Sequence, residues 1–107
     1  PDSLPAPLLS SFSAVSLAAA RRVAPILPRA YLVSRVRADW RDRVRELDCV
    51  AIHTNHRNLT ADRVAEVKAA GLAIRAYTVN DRALGESLFA WGVDGVFTDF
   101  ADRLLAI

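Results

Sequence analysis

Four short segments carry most of the side chains that could do chemistry: Ser10-Ser11-Phe12, His53-Thr54-Asn55, Tyr77-Thr78-Val79-Asn80 and Phe97-Thr98-Asp99. They combine an imidazole, amides, hydroxyls and aromatic rings, a mixture that suits a substrate pocket. A site for a hard cation would instead need several carboxylates converging on one point. Asp99 is the one carboxylate candidate, because Asp81 reads as a helix cap and Asp94 stands before a strand. His53 is a candidate general acid or base, since imidazole titrates near neutral pH; the alternative is a histidine that closes a strand and bonds to a loop. His56 has no His or Cys partner at ligand spacing, which speaks against zinc. Asn55, Asn58 and Asn80 either cap their own turns or face a ligand. Ser10 and Ser11 lack the glycine-flanked elbow of a hydrolase nucleophile, and Gly92 and Gly95 do not form a phosphate-cradling loop.

The elements that must position these residues alternate between short apolar runs and amphipathic stretches, which is a βα pattern repeated five times. Strands are expected at Leu8 to Phe12, Ala30 to Val33, Cys49 to His53, Leu72 to Tyr77 and Val93 to Phe97. Between them the sequence predicts helices over Ala14 to Ala24 after a Ser13 cap, about Asp39 to Leu47 with Asp39 as cap, Ala61 to Ala70 after Thr60, and from the Asp81 cap to Trp91-Gly92. Pro25 and Pro28 end the first helix, Gly71 stops the third, and a last short helix runs through Leu104-Leu105. Trp40 and Trp91 are expected to pack helix against sheet. Strands joined through helices run parallel, so all their C-terminal ends, and the four chemical segments with them, point to one side.

With 107 residues the chain is one domain or part of one. Hydrophobic residues make up 52% and charged residues 24%, enough apolar material for a core and too much for disorder. A net charge of +2, from 14 Lys and Arg against 12 Asp and Glu, is far from the concentrated basic surface that nucleic acid needs. Cys49 stands alone, which excludes a disulfide scaffold. No run approaches the roughly 18 apolar residues of a membrane span, so neither a nucleic-acid nor a membrane partner is expected, and the expected location is cytoplasmic. Two architectures compete: a complete open sheet of flavodoxin type, which the length favours, and part of an eight-stranded barrel. Arg75, a polar residue inside Leu72 to Tyr77, suits a barrel wall with two distinct faces better than a strand buried on both. A response-regulator receiver is excluded, because its acidic pair, phosphorylatable Asp and Lys positions read Ser-Phe, His53 and Thr98-Asp99.

The strand-end residues resemble the C-terminal part of the glycerophosphodiester phosphodiesterase family. The most specific segments are Tyr77-Thr78-Val79-Asn80-Asp81 and, some fifteen residues later, Gly92-Val93-Asp94-Gly95-Val96-Phe97-Thr98-Asp99; the likeness extends from about Leu8 to Leu105. It implies an α/β fold of parallel βα repeats, the last five βα units of a TIM-type (βα)8 barrel. It also implies a reaction, hydrolysis of a glycerophosphodiester to an alcohol and glycerol 3-phosphate, with a divalent cation, magnesium or calcium, held by carboxylates. The family's catalytic histidines and metal-binding acids lie on earlier strands, and His56-Arg57, followed by Asn58, does not replace its His-Arg-Gly motif. The residues carried over by the resemblance are therefore substrate-binding ones: Ser11, Phe12, His53, Asn55, Tyr77, Asn80 and Phe97. No catalytic or metal residue is expected, and the chain alone is expected to be inactive. Tyr77 stands where the family often has Trp, and Phe100-Ala101 where it often has Pro. The expected partners are a small glycerophosphodiester and, across the unpaired first and last strands, either the missing N-terminal barrel portion or a second copy. The alternative reading is a non-catalytic binding or structural βα module.

Overall fold

The computed structural model describes residues 9–100 except 12 and 25, and the side chains of Leu9 and Ala14 are not described. The expected helix through Leu104-Leu105 lies outside the described residues. Five strands and four helices alternate: β1 Leu9–Ser11, α1 Ala14–Val23, β2 Arg29–Val33, α2 Trp40–Leu47, β3 Ala51–Asn55, α3 Ala61–Ala69, β4 Ala73–Tyr77, α4 Arg82–Trp91 and β5 Gly95–Val96, with a short 3-10 turn at His56–Asn58.

Local signals set most of the boundaries. The side chains of Ser13, Thr60 and Asp81 each accept an N–H at the start of α1, α3 and α4, satisfying donors that have no partner within the helix. Gly92 closes α4 at φ +104°, a left-handed conformation that suits a residue without Cβ. Asp39 departs from expectation. It occupies the cap position of α2 without a side-chain cap bond, because its carboxylate turns to Arg43 Nε at 3.6 Å. The far end of α2 is closed by Arg29, whose Nε donates to Leu47 O at 3.0 Å and whose Nη2 donates to Asp48 O at 3.2 Å.

Three strands begin later than the sequence predicts, for one physical reason. Cys49 N–H still donates to Val44 O, Leu72 N–H to Val67 O and Val93 N–H to Leu88 O, so all three residues remain tied to the preceding helix, and β4 starts at Ala73 rather than Leu72. β3 therefore starts at Ala51 rather than Cys49, which moves His53 from the strand end to its middle. β5 shrinks to Gly95–Val96, although Phe97 N–H still reaches Ala76 O at 2.9 Å.

All neighbouring strands are parallel, and their order across the sheet is β1-β2-β3-β4-β5. Strand order decides between the two architectures. Right-handed crossovers that always step the same way put every helix on one face, whereas an open doubly wound sheet reverses direction to cover both. The burial agrees: Ile52, Ile74 and Ala76 share one core with Leu17, Trp40, Val44, Leu47, Val64, Val67 and Leu88 from the helices. Each fully buried Leu or Ile there contributes about 2 kcal/mol. Trp40 packs as expected at 3% exposure, while Trp91 is 39% exposed and does not. The opposite face of the sheet carries no helix among the described residues. Across it runs a register row, Leu32 beside His53, His53 beside Arg75 and Arg75 beside Gly95.

Candidate functional site

Because side chains alternate along a strand, residues two apart share a face. The uncovered face gathers Ser10 from β1, Leu32 from β2, His53 from β3, Arg75 and Tyr77 from β4, then Thr78 and Phe97 beyond the strand ends, around an open pocket of about 690 Å³.

His53 is the centre of this pocket's polar network, and only 3% of it is exposed. Its Nε2 lies 3.2 Å from Arg75 Nη1 and its Nδ1 2.9 Å from Ser10 Oγ. A guanidinium can only donate, so Nε2 must accept, and the ring proton sits on Nδ1, which donates to the serine hydroxyl. Burial, and after it the positive charge of Arg75, push the His53 pKa down to about 4. The imidazole is thus neutral at physiological pH, with its free lone pair occupied by Arg75. That arrangement positions a ring. It does not leave a base free for proton transfer. Phe97 meets the ring edge-on at 5.0 Å between centroids.

Tyr77 forms part of the wall with its hydroxyl turned away: Oη donates to Val33 O at 2.8 Å, tying β4 to β2. Gly95 lies under Arg75, and a Cβ there would stand 3.6 Å from Arg75 Cδ. That is ordinary van der Waals contact, so the arginine stem lies directly over Gly95 without requiring a glycine there.

Of the residues expected to bind substrate, the structure brings His53, Tyr77 and Phe97 together in the pocket lining. Phe12 lies outside the described residues. Ser11, Asn55 and Asn80 do not line the pocket. Ser11 Oγ accepts the N–H of Ser13, and Asn55 Oδ1 accepts that of Arg57, both closing turns. Asn80 fastens the segment after β5: its Oδ1 accepts Thr98 Oγ1–H at 3.0 Å and Asp99 N–H at 2.9 Å, and its Nδ2 donates to Asp99 Oδ2 at 3.3 Å. Ser10, Leu32, Arg75 and Thr78 line the pocket without having been singled out as binding residues. For Arg75 the signal was present, a charged residue alternating with apolar ones inside a strand.

Asp94, expected only to precede a strand, is a clamp. Its Oδ2 accepts Ile74 N–H at 2.8 Å, its Oδ1 receives Lys68 Nζ at 2.7 Å, and its own N–H donates to Ile74 O at 2.8 Å. Burial pushes its pKa up, but the hydrogen bonds from Lys68 and Ile74 and the charges of Lys68 and Arg75 outweigh burial and hold the carboxyl below its usual range. Among the described residues no three of His, Cys, Asp and Glu converge as a metal set would.

A parallel sheet in sequential order, helices on one face and a pocket on the other towards the strand C-termini, defines part of a TIM-type (βα)8 barrel. The chain belongs to the glycerophosphoryl diester phosphodiesterase family, whose model matches residues 5–103. It is 31% identical over 99 residues to a glycerophosphodiester phosphodiesterase of Bacillus subtilis, covering 89% of this chain and 34% of that protein. It is also 31% identical over 102 residues to one of Bacillus altitudinis, covering 94% of this chain and 42% of that protein. Among solved structures it is similar to a phosphodiesterase of Oleispira antarctica in complex with the product sn-glycerol 3-phosphate. There the TM-score is 0.94 and the identity 34%, over 99% of this chain and 42% of that one. The chain thus spans between a third and somewhat under half of these relatives. Among the described residues no helix is long and apolar enough to cross a membrane.

Proposed function

We propose that this chain is the C-terminal segment of a glycerophosphodiester phosphodiesterase barrel and supplies one wall of its substrate pocket. The observation that carries this reading is the 0.94 TM-score to a phosphodiesterase whose structure contains sn-glycerol 3-phosphate. The reaction adds water across the phosphorus–oxygen bond to the alcohol, releasing the alcohol and glycerol 3-phosphate. Leu32, Tyr77 and Phe97 shield the glycerol or alcohol moiety from water, while the Arg75 guanidinium, on the pocket lining, attracts the phosphodiester charge. Neutral His53 keeps Arg75 in place through its lone pair and moves no proton.

The described residues include no metal set, so they do not fit the family's divalent cation, and no step of this reading passes through one. Magnesium or calcium, the carboxylates that hold it and the groups that activate water belong in this proposal to the other strands of a whole barrel. The chain alone is then inactive, and its outer strands β1 and β5 pair with those missing units or with a second copy.

The test replaces the matched 42% of the Oleispira antarctica barrel with this chain and measures glycerophosphocholine hydrolysis with magnesium or calcium supplied. The isolated chain is assayed and weighed in parallel. Activity of the chimera but not of the chain supports the reading. Turnover by the chain alone, or an inactive chimera that is folded, overturns it, and a stable monomeric mass for the chain overturns the pairing of its outer strands.

A further inference from the structure

A second concavity opens on the same rim of the sheet, beyond β2 and β3, with a volume of about 520 Å³. Arg35 and Arg37, from the loop after β2, and Arg63, from the first turn of α3, converge on it together with Asn58. The chain fixes this loop on purpose-built contacts: Asn58 Nδ2 donates to Ser34 O at 2.8 Å, and Asn58 Oδ1 receives Arg35 Nη2 at 3.4 Å. The nearby carboxylates are committed elsewhere. Glu66 pairs with Arg63 at 3.0 Å, and Asp39 with Arg43 at 3.6 Å. Arg35 and Arg37 have no ion-pair partner among the described residues, a state they share with other exposed arginines such as Arg22 and Arg45; what sets these two apart is that they line one hollow together. Both are exposed, so an anion entering the hollow would meet two guanidinium charges that no ion pair has already taken up. No residue of this hollow lines the His53 pocket.

We propose that the Arg35–Arg37 hollow is an anion-binding site that takes a phosphate group, carried either by a free small molecule or by a phospholipid headgroup. Guanidinium forks match phosphate oxygens two at a time, and Asn58 holds one fork in place before the anion arrives. The remaining unpaired phosphate oxygens face solvent through the open mouth of the hollow.

Titration of the 107-residue chain with sodium phosphate, followed through the Arg Nε–Hε resonances in heteronuclear NMR, tests the free-phosphate source. Saturable shifts at Arg35, Arg37 and Arg63 are expected. Read from the Arg63 Nε–Hε resonance that every variant keeps in the hollow, the affinity falls about tenfold or more in R35Q/R37Q and is unchanged in R22Q/R45Q, which removes two exposed charges on α1 and α2. The Lys pair R35K/R37K, which keeps charge and solubility but loses the forks, is expected to fall between. Co-sedimentation with phosphatidylglycerol vesicles, against phosphatidylcholine alone, tests the headgroup source, with the same loss expected in R35Q/R37Q. Saturation confined to Arg75 would assign phosphate to the other pocket and overturn the proposal. Shifts that chloride reproduces, or binding equal in wild type and R35Q/R37Q in both arms, would overturn it as well.

Discussion

Arg75 Nη1 lies 3.2 Å from His53 Nε2, a cation donating to a neutral imidazole on the uncovered face of the sheet. The pair ties β3 to β4 at one level of the register and makes the folded state intolerant of a second positive charge at that point.

The first expectation follows from that intolerance. His53 has a pKa of about 4 when folded against 6.5 in the open chain, so between these values the unfolded state binds more protons. Stability is therefore full above about pH 6.5 and is lost as pH falls towards 4, by up to about 3 kcal/mol. His56, also held below its ordinary value by burial and Arg57, acts in the same direction. Urea unfolding from pH 4 to pH 7.5 should show this slope, and His53→Gln should flatten most of it. A wild-type stability that does not change across this range would refute the neutral, Arg75-bound imidazole.

Asp94 supports a different expectation, because one carboxylate serves a backbone donor and a lysine at once. Asp94→Ala leaves Ile74 N–H without its acceptor and should cost about 2 kcal/mol. Asp94→Asn keeps an oxygen for Ile74 but loses the charge facing Lys68, and should cost about half as much. Chemical denaturation of the three proteins gives the comparison, with Lys68→Met expected to resemble the Asn variant. Equal stability of wild type and Asp94→Ala would mean that the clamp bears nothing.

Thr54 offers the opposite sign. It is fully buried between sheet and helices, and its hydroxyl has no hydrogen-bond partner among the described residues. Replacing it with Val keeps the shape and removes an unsatisfied polar group, which should stabilise by about 1 kcal/mol and raise Tm by about 4 °C. A lower Tm in a thermal melt of Thr54→Val would show that the hydroxyl is bonded in solution.

What the sequence made legible is what local chemistry decides. Thr60 and Asp81 cap their helices because the donor they satisfy lies two or three residues away, and Gly92 ends α4 for an equally local reason. The pocket is harder to read. Ser10 and Ser11 are adjacent, and which one faces it depends on strand register, where a slip of one residue exchanges the two faces. The structure turns Ser10 to His53 and gives Ser11 to a turn. Arg75 was visible as an anomaly within its strand, but its partner lies 22 residues away, and only the β3–β4 register joins them. Asp94 looked like a spacer because the N–H it satisfies belongs to another strand, 20 residues back.

The sequential order of the strands also has a consequence in time. Each strand pairs only with the one made just before it and the one made just after, so no segment must wait for a distant part of the chain before it can dock. On the ribosome such a sheet can grow unit by unit, each new βα hairpin burying its helix on a wall that is already standing. Among the described strands the growing edge, the side of the newest strand, is covered by the next unit soon after it is made, while the β1 edge has no partner within this sheet.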